Sequence, residues 1–167
     1  MAQDHDNSRK LAELYRETIK RHAANPVGYR HAVDATHRHE EYNPLCGDRI
    51  EIMLRVEDGR VEDAAFDGEA CAICLASASL LCSLGPGLNV SELTSLGSEL
   101  HAALRNESDL GGGESRMNPL PRELQPLLGV RPYPSRVRCA TLPWETAARA
   151  LADPGAGAGG GETALFS

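Results

Sequence analysis

The sequence has few aromatic residues and no long uninterrupted hydrophobic run. Only 4% of its 167 residues are aromatic although 41% are hydrophobic, which predicts one domain with a modest aliphatic core. No stretch approaches the roughly 20 apolar residues that cross a bilayer, and the first residues, MAQDHDNSRKLAELYRE, lack the apolar centre of a secretion signal. We therefore expect a cytoplasmic protein.

The sequence also lacks an excess of positive charge. Its formal net charge is −7 and its isoelectric point is about 5.3. Such a surface repels, on average, both phosphate backbones and anionic bilayers. We therefore expect neither nucleic acid nor membrane as a partner.

The cysteines are odd in number, at positions 46, 71, 74, 82 and 139. An odd count in a chain without a secretion signal disfavours a disulfide framework and favours reduced thiols. Reduced thiols bind metals, take part in catalysis or are simply buried.

Hydrophobic periodicity predicts an α+β fold in which a small antiparallel sheet is covered on one face by helices. The predicted strands are a hairpin over residues 49–66, with its turn at Asp58-Gly59, and an earlier strand near residues 28–38. The predicted helices are an opening helix capped by Asn7 or Ser8 and stopped at Asn25-Pro26, a buried helix over 72–84, a helix from Ser91 to about 106, a shorter helix over 121–128 and a last helix from about Thr141 to Leu151.

The segments between and beyond these helices carry proline and glycine signals. The stretch RPYPSRV, residues 131–137, is predicted to be extended because each proline disfavours helix in the residue before it. Cys139 would then stand just before the last helix, with Pro143 in the first turn of that helix. Residues 111–113 are three glycines and predict a flexible break. We expect a flexible N-terminus over 1–8, one domain over 9–152 and a disordered glycine-rich tail over 153–167.

Three of the cysteines stand where a thiolate is favoured. Cys46 lies in a Cys-Gly-Asp turn, and Cys71 and Cys139 are each predicted to precede a helix, whose N-terminal dipole stabilises negative charge. Asp48 lies two residues from Cys46, and thiolates with a carboxylate suit tetrahedral zinc. The spacing matches no zinc-finger pattern, so three buried, inert cysteines remain the alternative.

Three motifs in order carry a resemblance to a known family. The strings NPLCGDRIEI, FDGEACAICLASASLL and PSRVRCATLPW resemble the motifs of the U-type iron–sulfur scaffold family, which includes IscU, SufU and the N-terminal domain of NifU. The similarity spans roughly residues 9–152. It is greatest to the SufU branch, because the segment between the second and third motif cysteines is long and Arg138 precedes the third cysteine where the IscU branch carries histidine.

The resemblance implies a function and a set of site residues. It implies a zinc-dependent sulfurtransferase of iron–sulfur cluster assembly that accepts persulfide sulfur from a Suf-type cysteine desulfurase and serves downstream assembly proteins. The ligands would be Cys46, Asp48, Cys71 and Cys139, with Cys46 as sulfur acceptor and Arg138 stabilising its thiolate. One alternative is a non-catalytic scaffold that holds iron or a [2Fe–2S] cluster on Cys46, Cys71 and Cys139. Another is a purely structural zinc domain.

The remaining candidate residues are expected to have structural roles. Ala70 and Cys74 depart from the family pattern, which has glycine and serine there, and packing is favoured over metal ligation for Cys74. Cys82 is expected in the core. The run from His37 to Glu41 is expected to be a solvated loop or edge strand, and Trp144 to pack under the last helix.

Overall fold

The computed structural model describes residues 2–105 and 120–152. Their elements, in chain order, are α1 (Ala2–Ala24), β1 (His37–Asn43), β2 (Asp48–Glu57), β3 (Arg60–Glu69), α2 (Ala72–Leu84), α3 (Val90–Leu104), a 3₁₀ helix (Arg122–Val130) and α4 (Pro134–Ala152). The predicted glycine break at 111–113 and the glycine-rich tail over 153–167 lie outside the described residues. The proposed division at residues 8 and 152 stays a prediction.

The three strands form one antiparallel sheet in the order β1-β2-β3. Asp58 and Gly59, with φ of 54° and 74°, close β2 onto β3, as a tight hairpin turn requires. Along β2 the side chains of Ile50, Ile52 and Leu54 are fully buried, and they alternate with half-buried neighbours. The sheet therefore buries one face, which confirms the predicted α+β fold and the predicted hairpin.

The first strand lies later in the chain than predicted. The segment from Val27 turns instead of extending, because Gly28 and Arg30 adopt positive φ of 84° and 56°. Tyr29 makes only an isolated bridge to Phe66. The predicted strand near 28–38 is thus wrong in position, and pairing with β2 begins at His37.

Two helix starts also differ from prediction. Helix α1 begins at Ala2, so the predicted caps at Asn7 or Ser8 lie inside it, where either residue costs well under 1 kcal/mol. Helix α3 is capped by Asn89, whose side chain accepts from the Glu92 N–H while the Glu92 carboxylate accepts from the Asn89 N–H. This reciprocal capping box outcompetes the predicted cap at Ser91.

The largest correction concerns the last helix. Helix α4 begins at Pro134 and residues 131–132 form a turn, with Arg131 in the right-handed helical region, so the predicted extended segment over 131–137 is wrong and the start near Thr141 is too late. Proline is well tolerated at a first helical position, where its missing N–H has no partner to lose. Consequently Cys139 lies inside α4 and Pro143 lies in the interior of that helix.

The helices enclose a core on one face of the sheet. Helix α2 packs against α1, α4 and β3, and α4 also covers β1 and β2. Cys74, Cys82 and Trp144 are buried in this core, which confirms the packing predicted for them. No helix in residues 2–105 and 120–152 is long and apolar enough to cross a membrane.

The histidine-rich run forms the edge strand β1, yet it is not solvated throughout. His39 is only 6% exposed, and its Nε2 lies 2.6 Å from a Glu41 carboxylate oxygen that also accepts from Arg149 of α4 at 2.6 Å. The inward face of β1 therefore attaches to α4 through a partly buried charge network.

Candidate metal centre

The first motif folds into the loop that joins β1 to β2. Asn43 and Asp48 pair across the two strands, and the Asn43 carbonyl accepts from the N–H groups of Cys46 (3.2 Å) and Gly47 (2.7 Å). The Asn43 side-chain oxygen accepts from the Leu45 N–H at 3.1 Å. Gly47 has φ of 75°, which glycine adopts without strain. The loop therefore presents Cys46 on a turn that is stabilised by hydrogen bonds within the loop. Asn43 makes these bonds, and its role was not predicted from the sequence.

Asp48 is a buried carboxylate with one oxygen engaged and one left over. The side chain is 2% exposed, and its Oδ1 accepts from the Cys71 N–H at 2.9 Å. Its Oδ2 is buried and has no hydrogen-bond partner in the described part of the chain. A buried polar atom without a partner costs free energy, so this oxygen is suited to a ligand such as a cation.

Cys71 sits at the N-cap of α2, with extended backbone angles and no side-chain capping bond. The side chain is exposed, and the bond from its N–H to Asp48 ties the start of α2 to the start of β2. Nearby, Gly68 allows the end of β3 to lie close to the start of β2, because a Cβ there would lie 2.1 Å from the Arg49 carbonyl oxygen. The position of Cys71 at a helix start is confirmed.

Cys139, in the interior of α4, lies close to Cys46 and Asp48. Its Sγ lies 3.5 Å from the Sγ of Cys46, and candidate ligand atoms of Cys46, Asp48 and Cys139 all lie within 4.8 Å of one another. Burial raises the pKa of the Cys139 thiol, and the neighbouring side chains of Asp48, Cys46 and Cys71 raise it further. The thiol is thus protonated at neutral pH unless a cation compensates its charge.

The fourth predicted ligand borders this cluster. Cys71 lies outside the group within 4.8 Å, yet it lines the same cleft as Cys46 and Cys139 and acts on the pKa of Cys139. None of the four side chains points to an opposite face of the fold. Soft thiols and one hard carboxylate oxygen with a free, buried lone pair match the donor set that zinc accepts.

Sequence and structure comparisons place the chain in a family. Residues 14–117 match the NifU-like N-terminal domain. The chain belongs to this family. It is 30% identical over 147 residues to "Zinc-dependent sulfurtransferase SufU" of Bacillus subtilis, covering 85% of this chain and 92% of the relative. It is 36% identical over 138 residues to "Iron-sulfur cluster assembly scaffold protein IscU" of Thermotoga maritima, covering 83% and 92%.

A solved NifU-like N-terminal structure from Brucella abortus has the same fold. It superimposes with a TM-score of 0.71 at 21% identity, covering 85% of this chain and 94% of that one. The resemblance inferred from the three motifs is therefore confirmed, and each motif of this NifU-like domain brings one cysteine to the centre.

A cleft of about 960 Å³ opens beside the cysteines, between α1, the 3₁₀ helix and the start of α4. Its lining is mostly apolar, and its charged members, within the described ranges, are the cations Arg16, Lys20 and Arg136. Lys20 also pairs with Glu17 at 3.9 Å, so Arg16 and Arg136 supply most of the positive charge that favours an anionic group here, in a chain of net charge −7. The helical spacing of Arg16 and Lys20 was visible in the sequence, whereas Arg136 was hidden by the wrong extended assignment.

The other singled-out residues do not line the cleft. Arg138 is exposed on α4 and does not line the cleft. Cys74 is fully buried, and its pKa lies far above the ordinary value because of burial and, next, the charges of the nearby Asp48, Cys71 and Cys46. Burial likewise raises the pKa of Cys82 to about 12. These two thiols are inert at neutral pH.

Proposed function

We propose that this NifU-like domain is a zinc-dependent sulfur carrier of iron–sulfur cluster assembly, which accepts persulfide sulfur from a Suf-type cysteine desulfurase and passes it to downstream assembly proteins. The observation that carries the proposal is the convergence of Cys46, Cys139 and the unpartnered Asp48 Oδ2, with Cys71 beside them. The similarity to the Bacillus subtilis sulfurtransferase supports the same function.

Cys46, Asp48, Cys71 and Cys139 would hold the zinc ion. When bound, zinc keeps its thiol ligands in the thiolate form. The donor set supports this assignment, because thiols and a buried carboxylate oxygen without a hydrogen-bond partner converge there. A cation among them would offset the burial that raises the pKa of the Cys139 thiol.

Cys46 is the proposed sulfur acceptor because, of the three cysteines, its displacement should cost the least free energy. It is exposed and stands in a loop whose hydrogen bonds are local to Asn43. Cys71 is instead tied by its N–H to Asp48, and Cys139 is embedded in α4. Segments with few buried contacts rearrange most readily.

The transfer step exchanges one sulfur–sulfur bond for another. The Cys46 thiolate attacks the terminal sulfur of the desulfurase persulfide, a new bond forms between them, and the old bond breaks to leave the desulfurase thiolate. The terminal sulfur keeps its proton throughout. The cleft cations at positions 16, 20 and 136 favour the two anions of this step, the attacking Cys46 thiolate and the departing desulfurase thiolate, and Arg138 is proposed to add positive charge at the neighbouring surface.

A paired assay tests the proposal. Native protein should contain about one zinc ion, accelerate alanine release by the desulfurase, and carry one added sulfur on the peptide containing Cys46 by mass spectrometry. Cys46→Ser should abolish that sulfur, whereas Cys82→Ser, a buried thiol outside the cleft, should retain it. Reproducible persulfide on Cys139 instead would contradict the acceptor assignment.

The second candidate function is a scaffold on which a [2Fe–2S] cluster is assembled. The observation that favours it is the 36% identity to the IscU scaffold of Thermotoga maritima, together with three thiols that could bind cluster iron. Anaerobic purification separates the two functions, because a scaffold shows visible cluster absorption and a zinc carrier is colourless.

A further inference from the structure

A buried hydroxyl joins the helices that carry two of the proposed ligands. Ser77 of α2 is fully buried. Its hydroxyl donates to the Ala140 carbonyl of α4 at 2.5 Å and accepts from the Trp144 indole N–H at 3.0 Å. Ala140 directly follows Cys139, so this contact holds α4 against α2 beside the third cysteine.

The same part of α4 lacks an internal hydrogen bond. Pro143 has no N–H, so the carbonyl of Cys139, four residues earlier, receives no helical bond from it. The turn of helix that presents Cys139 is consequently held less tightly by its own backbone than an ordinary turn. An external bond to the adjacent Ala140 restrains it from outside.

We propose that Ser77 is a positioning residue for the metal centre, which sets where Cys139 stands relative to Cys71 although it touches neither sulfur. Cys71 caps the same helix six residues earlier, about 9 Å along its axis. The Ser77 bond therefore fixes α4 to the helix that begins at Cys71. The metal part of this inference rests on the proposed function.

The chain contains a matched control two residues away. Ser79 lies on the same helix and is equally buried. Its hydroxyl also makes two contacts, to the Val27 N–H at 2.8 Å and the His22 Nδ1 at 2.7 Å, but these join α2 to the α1 side of the fold. Ser77→Ala and Ser79→Ala thus remove the same group from the same environment and release different neighbours.

The experiment compares Ser77→Ala, Ser79→Ala and Trp144→Phe in the full chain. Zinc affinity is measured by competition with a chromophoric chelator, and melting temperatures are recorded on metal-free protein. The alkylation rate of Cys139, which is 2% exposed, is measured in metal-free protein relative to the exposed Cys46. These readouts separate a general loss of stability from a displaced ligand.

Ser77→Ala should weaken zinc binding about tenfold, as expected for a lost buried hydrogen bond, and should speed alkylation of Cys139. Ser79→Ala should lower the melting temperature comparably yet keep zinc affinity within about twofold of wild type. Trp144→Phe, which keeps the Ser77 bond to Ala140, should give a smaller change in both readouts than Ser77→Ala.

Two results would overturn the proposal: equal changes in zinc affinity and in Cys139 alkylation in Ser77→Ala and Ser79→Ala, or no change in either quantity in Ser77→Ala. If Ser77→Ala does not fold, Trp144→Phe provides the test instead. Cys139 in Trp144→Phe should be alkylated faster than in Ser79→Ala, and an equal or slower rate would contradict the positioning role of Ser77. A wild-type protein that binds no zinc refutes the proposed function instead, and the metal-free alkylation rates still test Ser77.

Discussion

Replacing Asp48 by Asn separates the two roles of this side chain. Asn keeps an oxygen that can accept from the Cys71 N–H, as Oδ1 does at 2.9 Å, but removes the charge and the unpartnered Oδ2. Because that oxygen has no partner among the described residues, metal-free Asp48→Asn should be within about 1 kcal/mol of wild type in free energy of unfolding. Asp48→Ala also loses the bond to Cys71, which costs about 1.5–3 kcal/mol for an acceptor that is charged.

Zinc should separate Asp48→Asn from wild type. At a free zinc concentration 100 times its Kd, wild type gains about 2.7 kcal/mol, or roughly 8 °C in melting temperature for a chain of this size. A tenfold weaker site in Asp48→Asn gains about 1.4 kcal/mol, or roughly 4 °C, at the same zinc concentration. The measurement is calorimetric melting in buffered zinc and after verified zinc removal.

The two arms of this experiment can fail separately. An Asn variant with the full zinc-induced shift would show that the carboxylate is not a ligand. An Asn variant that melts as low as the Ala variant without metal would show that the bond to Cys71 does not hold the centre together. Either result refutes the double role inferred from the geometry.

The remaining predictions concern packing and pH. Cys74→Ser should retain zinc, since this thiol is buried and does not line the cleft, and metal analysis that finds zinc lost would reassign it as a ligand. Gly68→Ala should destabilise by roughly 3 kcal/mol in denaturant titration, because φ of 143° and contact with the Arg49 carbonyl exclude a Cβ. Gly87→Ala, at φ of 100° with open space around it, should cost less, and equal costs would argue against the close approach. Burial lowers the pKa of His22, so the folded state binds fewer protons than the unfolded state, and stability falls as pH drops below about 6.5. His22→Gln should reduce the dependence of the melting temperature on pH between pH 7.5 and 5.5, and an unchanged dependence would exclude this histidine as the cause.

Local patterns predicted much of the fold and failed at identifiable places. The turn at Asp58-Gly59 and the buried helix over 72–84 follow from nearest-neighbour chemistry and periodicity, so they were predicted correctly. Two neighbouring prolines suggested an extended segment before Cys139, but Pro134 starts a helix there. A proline signal marks a boundary without saying on which side the helix lies.

By itself, the sequence determined the donor types, the order of the three motifs and the loop that presents Cys46, because these depend on residue chemistry and short-range turn geometry. Only the tertiary structure decided that the sulfurs of Cys46 and Cys139, 93 residues apart, stand 3.5 Å from each other. It also decided that the cations at positions 16, 20 and 136 border one cleft. The physical reason is that α4 is placed by packing and by long-range hydrogen bonds such as Ser77 to Ala140, whose partners share no local sequence pattern.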